Sequence, residues 1–133
     1  MKTVLFVCVG NSGRSQMAEA FFNYLAAGRA RAISAGTNPA KSVAPDVVLA
    51  MKEVGIDISG NTPKALTEDM LAQADRVVTM GCGAEGVCPV SFVPTEDWAL
   101  EDPKGKSLEQ VRKIRDEIKT KVAKMLEDTE FNR

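Results

Sequence analysis

Residues 2–15 read KTVLFVCVGNSGRS, and the way this stretch divides decides the fold. Residues 2 to 8 form a short, nearly continuous apolar run, which is the composition of a strand buried on both faces of a parallel sheet. The run ends on a thiol, Cys8. Gly10, Asn11, Gly13 and Arg14 follow, and from about Ser15 the residues Met17, Ala18, Phe21, Phe22 and Leu25 recur at helical spacing, with Gly28 as a stop. A buried strand that passes through a glycine-containing loop straight into a helix is the opening unit of an α/β protein.

The rest of the chain repeats that alternation. RAISAGT at 31–37 reads as a second strand. Pro45 begins a second helix, with Val47, Val48, Met51 and Val54 as its apolar set and Gly55 at its end. Thr67 caps a short third helix through Ala74, which delivers the chain to a third strand, DRVVTM at 75–80. VSFV at 90–93 is the expected fourth strand. The last helix opens on a capping box, Ser107 with Gln110, and carries one stripe of Leu108, Val111, Ile114, Ile118, Val122, Met125 and Leu126. The expectation is a three-layer α/β fold, an open sheet of about four parallel strands flanked by helices, with right-handed crossovers and ligands bound beyond the carboxyl ends of the strands. Cys8 and Cys82 both lie at such ends. There is no repeat, low-complexity stretch or linker, so residues 1–133 are expected to form one domain.

Composition limits the chemistry. Of 133 residues, 44% are hydrophobic, enough for a real core, and 17 basic against 18 acidic residues leave a net charge of −1. Such a balance offers no field to gather nucleic acid or an anionic membrane, so any anion site must be local. No apolar run approaches the ~20 residues of a membrane span, and the first strand is too short and too soon interrupted for a signal peptide. The expected location is the cytoplasm, where three cysteines, Cys8, Cys82 and Cys88, rest reduced and serve catalysis, redox cycling or metal binding rather than stapling. The chain has no histidine. Thiolates, carboxylates, arginine and backbone dipoles are left to do any chemistry.

The loop Val9, Gly10, Asn11, Ser12, Gly13, Arg14 and Ser15 has the parts of an oxyanion cradle. Gly10 and Gly13 tolerate positive φ, and Asn11 tolerates it better than most residues, so successive N–H groups can turn inward as a nest, to which the helix start adds its positive end. The planar fork of Arg14 can hold two oxygens of a tetrahedral anion, and its charge favours a thiolate at Cys8; Ser15 can donate a further hydrogen bond to the sulfur. The plainer alternative is a buried cysteine that ends a strand, followed by a glycine turn and a solvated arginine.

The pattern C-x5-R-S in CVGNSGRS, placed after the first strand, resembles the low-molecular-weight tyrosine phosphatase fold. VGNSGRSQMAEAF at 9–21, SAGT at 34–37, GIDIS at 55–59, VVTMGCG at 77–83 and DWALEDP at 97–103 are similar to the arsenate reductases on that fold, a likeness that spans nearly the whole chain. The resemblance implies that Cys8 attacks arsenate, that Cys82 attacks the Cys8 sulfur so that arsenite leaves, and that Cys88 then takes over the disulfide for reduction by thioredoxin or a similar thiol reductant. Cys82 and Cys88 bracket GAEGV, whose glycines permit the reach that two successive thiol exchanges need. Two other readings of the pair are incidental small residues and half of a metal site. The spacing lacks the usual zinc pattern, and neither a metal nor another cofactor is expected.

Asp102, before Pro103, matches the aspartate that protonates the leaving oxygen in the family, with Glu101 as the fallback; on its own it also reads as an ordinary Asp-Pro turn. Some members hold potassium beside the loop. Asn11, Glu19, Ser34 and Thr62 match those ligand positions, but Lys64 stands where an aspartate is expected, so no potassium requirement is expected. Arsenate reduction is the leading expectation. Phosphate monoester hydrolysis is the second, disfavoured because Lys104 follows Asp102-Pro103 where the tyrosine phosphatases place aromatic residues. A non-catalytic oxyanion or redox sensor is the third. Phosphate is the expected analogue of arsenate, and a monomer the expected state.

Overall fold

The computed structural model describes residues 2–80, 95–128 and 131. Among them, β1 (Lys2–Cys8), β2 (Ala30–Gly36), β3 (Arg76–Thr79) and β4 (Thr95–Asp97) form one parallel sheet in the order β2-β1-β3-β4. Helices α1 (Arg14–Ala26), α2 (Pro45–Glu53), α3 (Glu68–Gln73) and α4 (Leu108–Met125) complete the described elements. The architecture is the open parallel α/β sheet that the alternation predicts.

β1 lies in the interior of this sheet, and its alternate residues serve two cores. Val4 and Phe6 join Met17, Phe21 and Phe22 of α1, Val47 and Met51 of α2, and Ile118 and Val122 of α4 on one face. Leu5 and Val7 join Val77, Leu66, Met70 and Leu71 on the other face, which α3 covers. That two-sided burial is why the run KTVLFV is apolar without alternation. The ring of Phe6 packs 6.0 Å from that of Phe22 and 5.6 Å from that of Trp98, tying β1 to α1 and to the segment after β4.

The helix ends follow local chemistry. α1 closes through Ala27 at φ 49° and Gly28 at φ 90°, and α2 is followed by Gly55 at φ 84°. Thr67 caps α3 by accepting from the Met70 amide. At α4 both halves of the capping box are present, Ser107 with Gln110. Its buried face is Val111, Ile114, Ile118, Val122 and Met125, and it also buries Arg115, a charged residue that the apolar stripe does not announce. Arg115 donates to the Ala50 carbonyl and to Glu53, which also receives the Arg112 guanidinium.

The expected strand VSFV, 90–93, lies outside the described residues. The strand beside β3 is Thr95–Asp97, a short edge segment with exposed side chains. It is fixed by its pairing, by a hydrogen bond from Thr79 Oγ1 to Asp97 Oδ1 (2.6 Å), and by the Trp98 amide, which donates to the Thr79 carbonyl.

Candidate functional site

Cys8, the last residue of β1, pairs in register with Gly36, the last residue of β2, so two strands end together beneath the loop 9–13. The Cys8 thiol is buried. Its sulfur receives the Asn11 amide at 3.2 Å and lies 2.8 Å from Ser15 Oγ.

The loop is held from outside by the segment 37–44. The amides of Thr37, Asn38, Ala40 and Ala44 donate to the carbonyls of Cys8, Val9, Gly10 and Ser12. The Gly13 carbonyl takes the Met17 amide and so begins α1. Each peptide is planar and trans, so a carbonyl turned outward turns the next N–H inward. The amides of Val9, Gly10, Asn11 and Gly13 are thereby turned away from the segment 37–44, and that of Asn11 donates to the Cys8 sulfur, beside the positive end of α1.

The reason for the two loop glycines differs from the expected one. Only Asn11, at φ 49°, takes the left-handed conformation within the loop, and neither Gly10 nor Gly13 does. Gly13 is required by space, because a Cβ there would lie 2.8 Å from Pro103 Cγ. Gly36, which sequence reading assigned no role, is tighter still: a Cβ would lie 2.5 Å from the Val9 carbonyl oxygen and 3.0 Å from the Asn11 nitrogen. Its only sequence signal is a glycine closing the strand that neighbours the thiol strand.

Asn11 pays no penalty in unsatisfied groups. Its Nδ2 donates to Ser15 Oγ (2.7 Å) and Ser34 Oγ (3.1 Å), while its Oδ1 accepts from the Lys64 amide (2.9 Å) and from Gln16 Nε2 (3.1 Å). Ser34 in turn donates to Glu19 at 2.8 Å, and Lys64 Nζ stands 3.9 Å from the same carboxylate oxygen. The ammonium stands beside the Glu19 carboxylate, and a second positive charge there would be repelled. These residues do not fit a potassium site.

Across the cleft, the buried Arg14 donates to the Leu100 carbonyl (3.3 Å) and faces Asp102 Oδ2 at 3.7 Å. Asp102, 46% exposed, is steadied by the Lys104 amide at its other oxygen. Cys8, Arg14 and Asp102 therefore share one cleft, whose rim includes Asn38, Pro39, Ala40, Ser42, Pro103 and Lys104. Glu101, the fallback acid, faces Lys106 and lines a different groove with Gln110 and Lys113. Cys82 and Cys88 lie outside the described residues. Among the described residues no group of three or more histidine, cysteine, aspartate or glutamate side chains is placed to hold a metal ion, and no helix is long and apolar enough to cross a membrane.

A buried thiol beneath a loop that opens a helix, with an arginine and a carboxyl on the same cleft, is the arrangement expected of an oxyanion site built around a cysteine. The chain belongs to the low molecular weight phosphotyrosine protein phosphatase family, which it matches over residues 3–133. It is 42% identical over 131 residues to an arsenate reductase of Brevibacillus brevis, covering 97% of each chain. Among solved structures it is similar to an arsenate reductase in the phosphate binding state (38% identity, TM-score 0.80, 95% of this chain and 97% of that one). It is also similar to the thioredoxin-dependent arsenate reductase of Corynebacterium glutamicum (34% identity, TM-score 0.84, all of this chain and 64% of that one).

Proposed function

We propose that this protein is a thioredoxin-coupled arsenate reductase of the cytoplasm, acting as a monomer. The observation that carries the reading is the buried Cys8 sulfur, which receives the Asn11 amide and shares one cleft with Arg14 and Asp102. In this reading the loop 9–15 and Arg14 bind the arsenate oxygens, the Cys8 thiolate forms a bond to arsenic, and Asp102 protonates the oxygen that leaves as water. Cys82 thiolate then attacks the Cys8 sulfur. A sulfur–sulfur bond forms, the sulfur–arsenic bond breaks, and its electron pair stays on arsenic, which leaves as arsenite. Cys88 attacks Cys82 and frees Cys8, and thioredoxin reduces the resulting Cys82–Cys88 disulfide.

Phosphate fits the same cradle, so hydrolysis of a phosphate ester is the competing reaction. The described rim argues against an aromatic ester, since Asn38, Pro39, Ala40, Ser42 and Lys104 offer no ring to stack on. The similarity to named arsenate reductases, one of them thioredoxin-dependent, supports the reductive reading.

The test is arsenate reduction with a thioredoxin system, beside hydrolysis of an aryl phosphate, for the wild type and for Cys8→Ser, Cys82→Ser and Cys88→Ser. Reduction is expected to disappear in all three variants and any hydrolysis only in Cys8→Ser, with equal rates in sodium and potassium salts. Reduction that persists in Cys82→Ser or Cys88→Ser overturns the relay, and a severalfold potassium activation overturns the exclusion of potassium by Lys64.

A further inference from the structure

The hydroxyl of Ser15 has one proton and lies 2.8 Å from the Cys8 sulfur, a contact in which either atom can donate. Which of them does so matters, because only a donated proton stabilises the thiolate. The surrounding hydrogen bonds settle the direction from a distance. Gln16 is fully buried in the first turn of α1, and its Nε2 donates to the Thr62 carbonyl (3.3 Å). A carbonyl can only accept, so the orientation of the Gln16 amide is fixed, and its oxygen is left to accept from Asn61 Nδ2 (3.2 Å). The same Nε2 donates to Asn11 Oδ1, beside the Lys64 amide, which also can only donate. Asn11 must therefore present its Nδ2 to Ser15 and Ser34. Ser34, committed to the Glu19 carboxylate, has no proton to offer an inverted Asn11. Ser15 accepts from Asn11, which leaves its own proton free to be donated to the sulfur.

We infer that Gln16 is a positioning residue for the nucleophile: together with the Lys64 backbone amide it orients the Asn11 carboxamide, and so leaves the Ser15 proton for the Cys8 sulfur. Gln16 touches neither the sulfur nor the cleft. Its effect travels through two residues, each buried and each satisfied. The described charged groups around Cys8 are Arg14 of α1, Asp102 and Lys104 before α4, and, behind Asn11, Glu19 and Lys64. Gln16 carries no charge, and Gln16→Met changes none of these. The inference rests on the reading of Cys8 as the nucleophile but needs no arsenate chemistry.

The experiment is the pH profile of Cys8 alkylation by iodoacetamide, read by mass spectrometry in a Cys82→Ser, Cys88→Ser background. Gln16→Glu sets a second acceptor against Asn11 Oδ1, which only the Lys64 amide then holds, so the Asn11 carboxamide loses its single orientation and its oxygen competes for the Ser15 proton. The alkylation midpoint is expected to rise by about one pH unit, the scale of one lost hydrogen bond to a charged acceptor. Gln16→Met removes one of the two donors that hold Asn11 Oδ1, leaves the Lys64 amide in place, and is expected to give a smaller rise. Ser15→Ala is expected to raise the midpoint and to abolish the further effect of either Gln16 substitution. A midpoint unchanged by both Gln16 variants in folded protein overturns the inference, as does a shift of the same size in the Ser15→Ala background. If Gln16→Glu does not fold, Gln16→Met crossed with Ser15→Ala decides the matter by itself. Because alkylation is scored without arsenate, failure here leaves the reductase reading to its own assay.

Discussion

At Gly36 a single methyl group would collide with the backbone that forms the cradle, 2.5 Å from the Val9 oxygen. Backbone cannot swing aside as the end of a side chain can, so the loop itself must shift. Gly36→Ala is expected to lower kcat/KM for arsenate by about two orders of magnitude, the scale of a misplacement of about 1 Å at a reacting centre. Steady-state kinetics beside a melting curve check this, and unchanged kinetics would show that the loop tolerates the shift. The residues that form the cradle were legible in the sequence, since the thiol, the arginine and the strand-to-helix context stand close together. The physical job of each glycine was not. Positive φ belongs to Asn11, while Gly13 and Gly36 answer to atoms of Pro103 and of the loop itself, contacts between segments that no local pattern records.

At the scale of elements, α2 and α4 are joined by charge. The Glu53 carboxyl is held below its ordinary value of 4.5, first by the hydrogen bond from Arg112, against an opposing push from burial, with the charge of Arg112 and then the hydrogen bond and charge of Arg115 lowering it further. A carboxyl with a depressed folded value contributes stability that is fully present above its ordinary value and is lost as pH falls through the folded one. Glu53→Gln is therefore expected to lower the urea midpoint at neutral pH, where it also leaves the buried Arg115 short of a partner. The gap from wild type should narrow below about pH 4. A gap that stays constant across this range would assign the loss to packing. The helices were readable because their caps and stripes are local. β4 was not, because the edge segment TED owes its strand conformation to its register on β3 and has no pattern of its own.

Across the whole molecule, aromatic rings couple distant parts of the chain. Phe131 packs edge-on against Phe22 at 5.6 Å, and Phe22 meets Phe6 of β1, whose last residue but one precedes the thiol. Phe131 is 2% exposed. Phe131→Ala is expected to cost about 3 kcal/mol, seen as a lower midpoint in chemical denaturation with little change in kcat/KM at low temperature. A loss of less than about 1 kcal/mol would show that α1 and the end of the chain are energetically separate. Layer architecture, strand order about β1 and the position of the cleft all follow from one strand buried on both sides, which explains how much of the global fold a seven-residue run could disclose.

The four carbonyls pegged by residues 37–44 leave the cradle formed before any anion arrives. A receptor that does not rearrange selects by size, shape and charge alone. Arsenate and phosphate are nearly alike in all three, so the cradle cannot refuse phosphate, and the abundant anion acts as a standing competitor for the rare one. What distinguishes them is the step after capture, in which only arsenic can accept an electron pair from sulfur. In a cell the throughput of such an enzyme follows the ratio of the two oxyanions rather than the concentration of either.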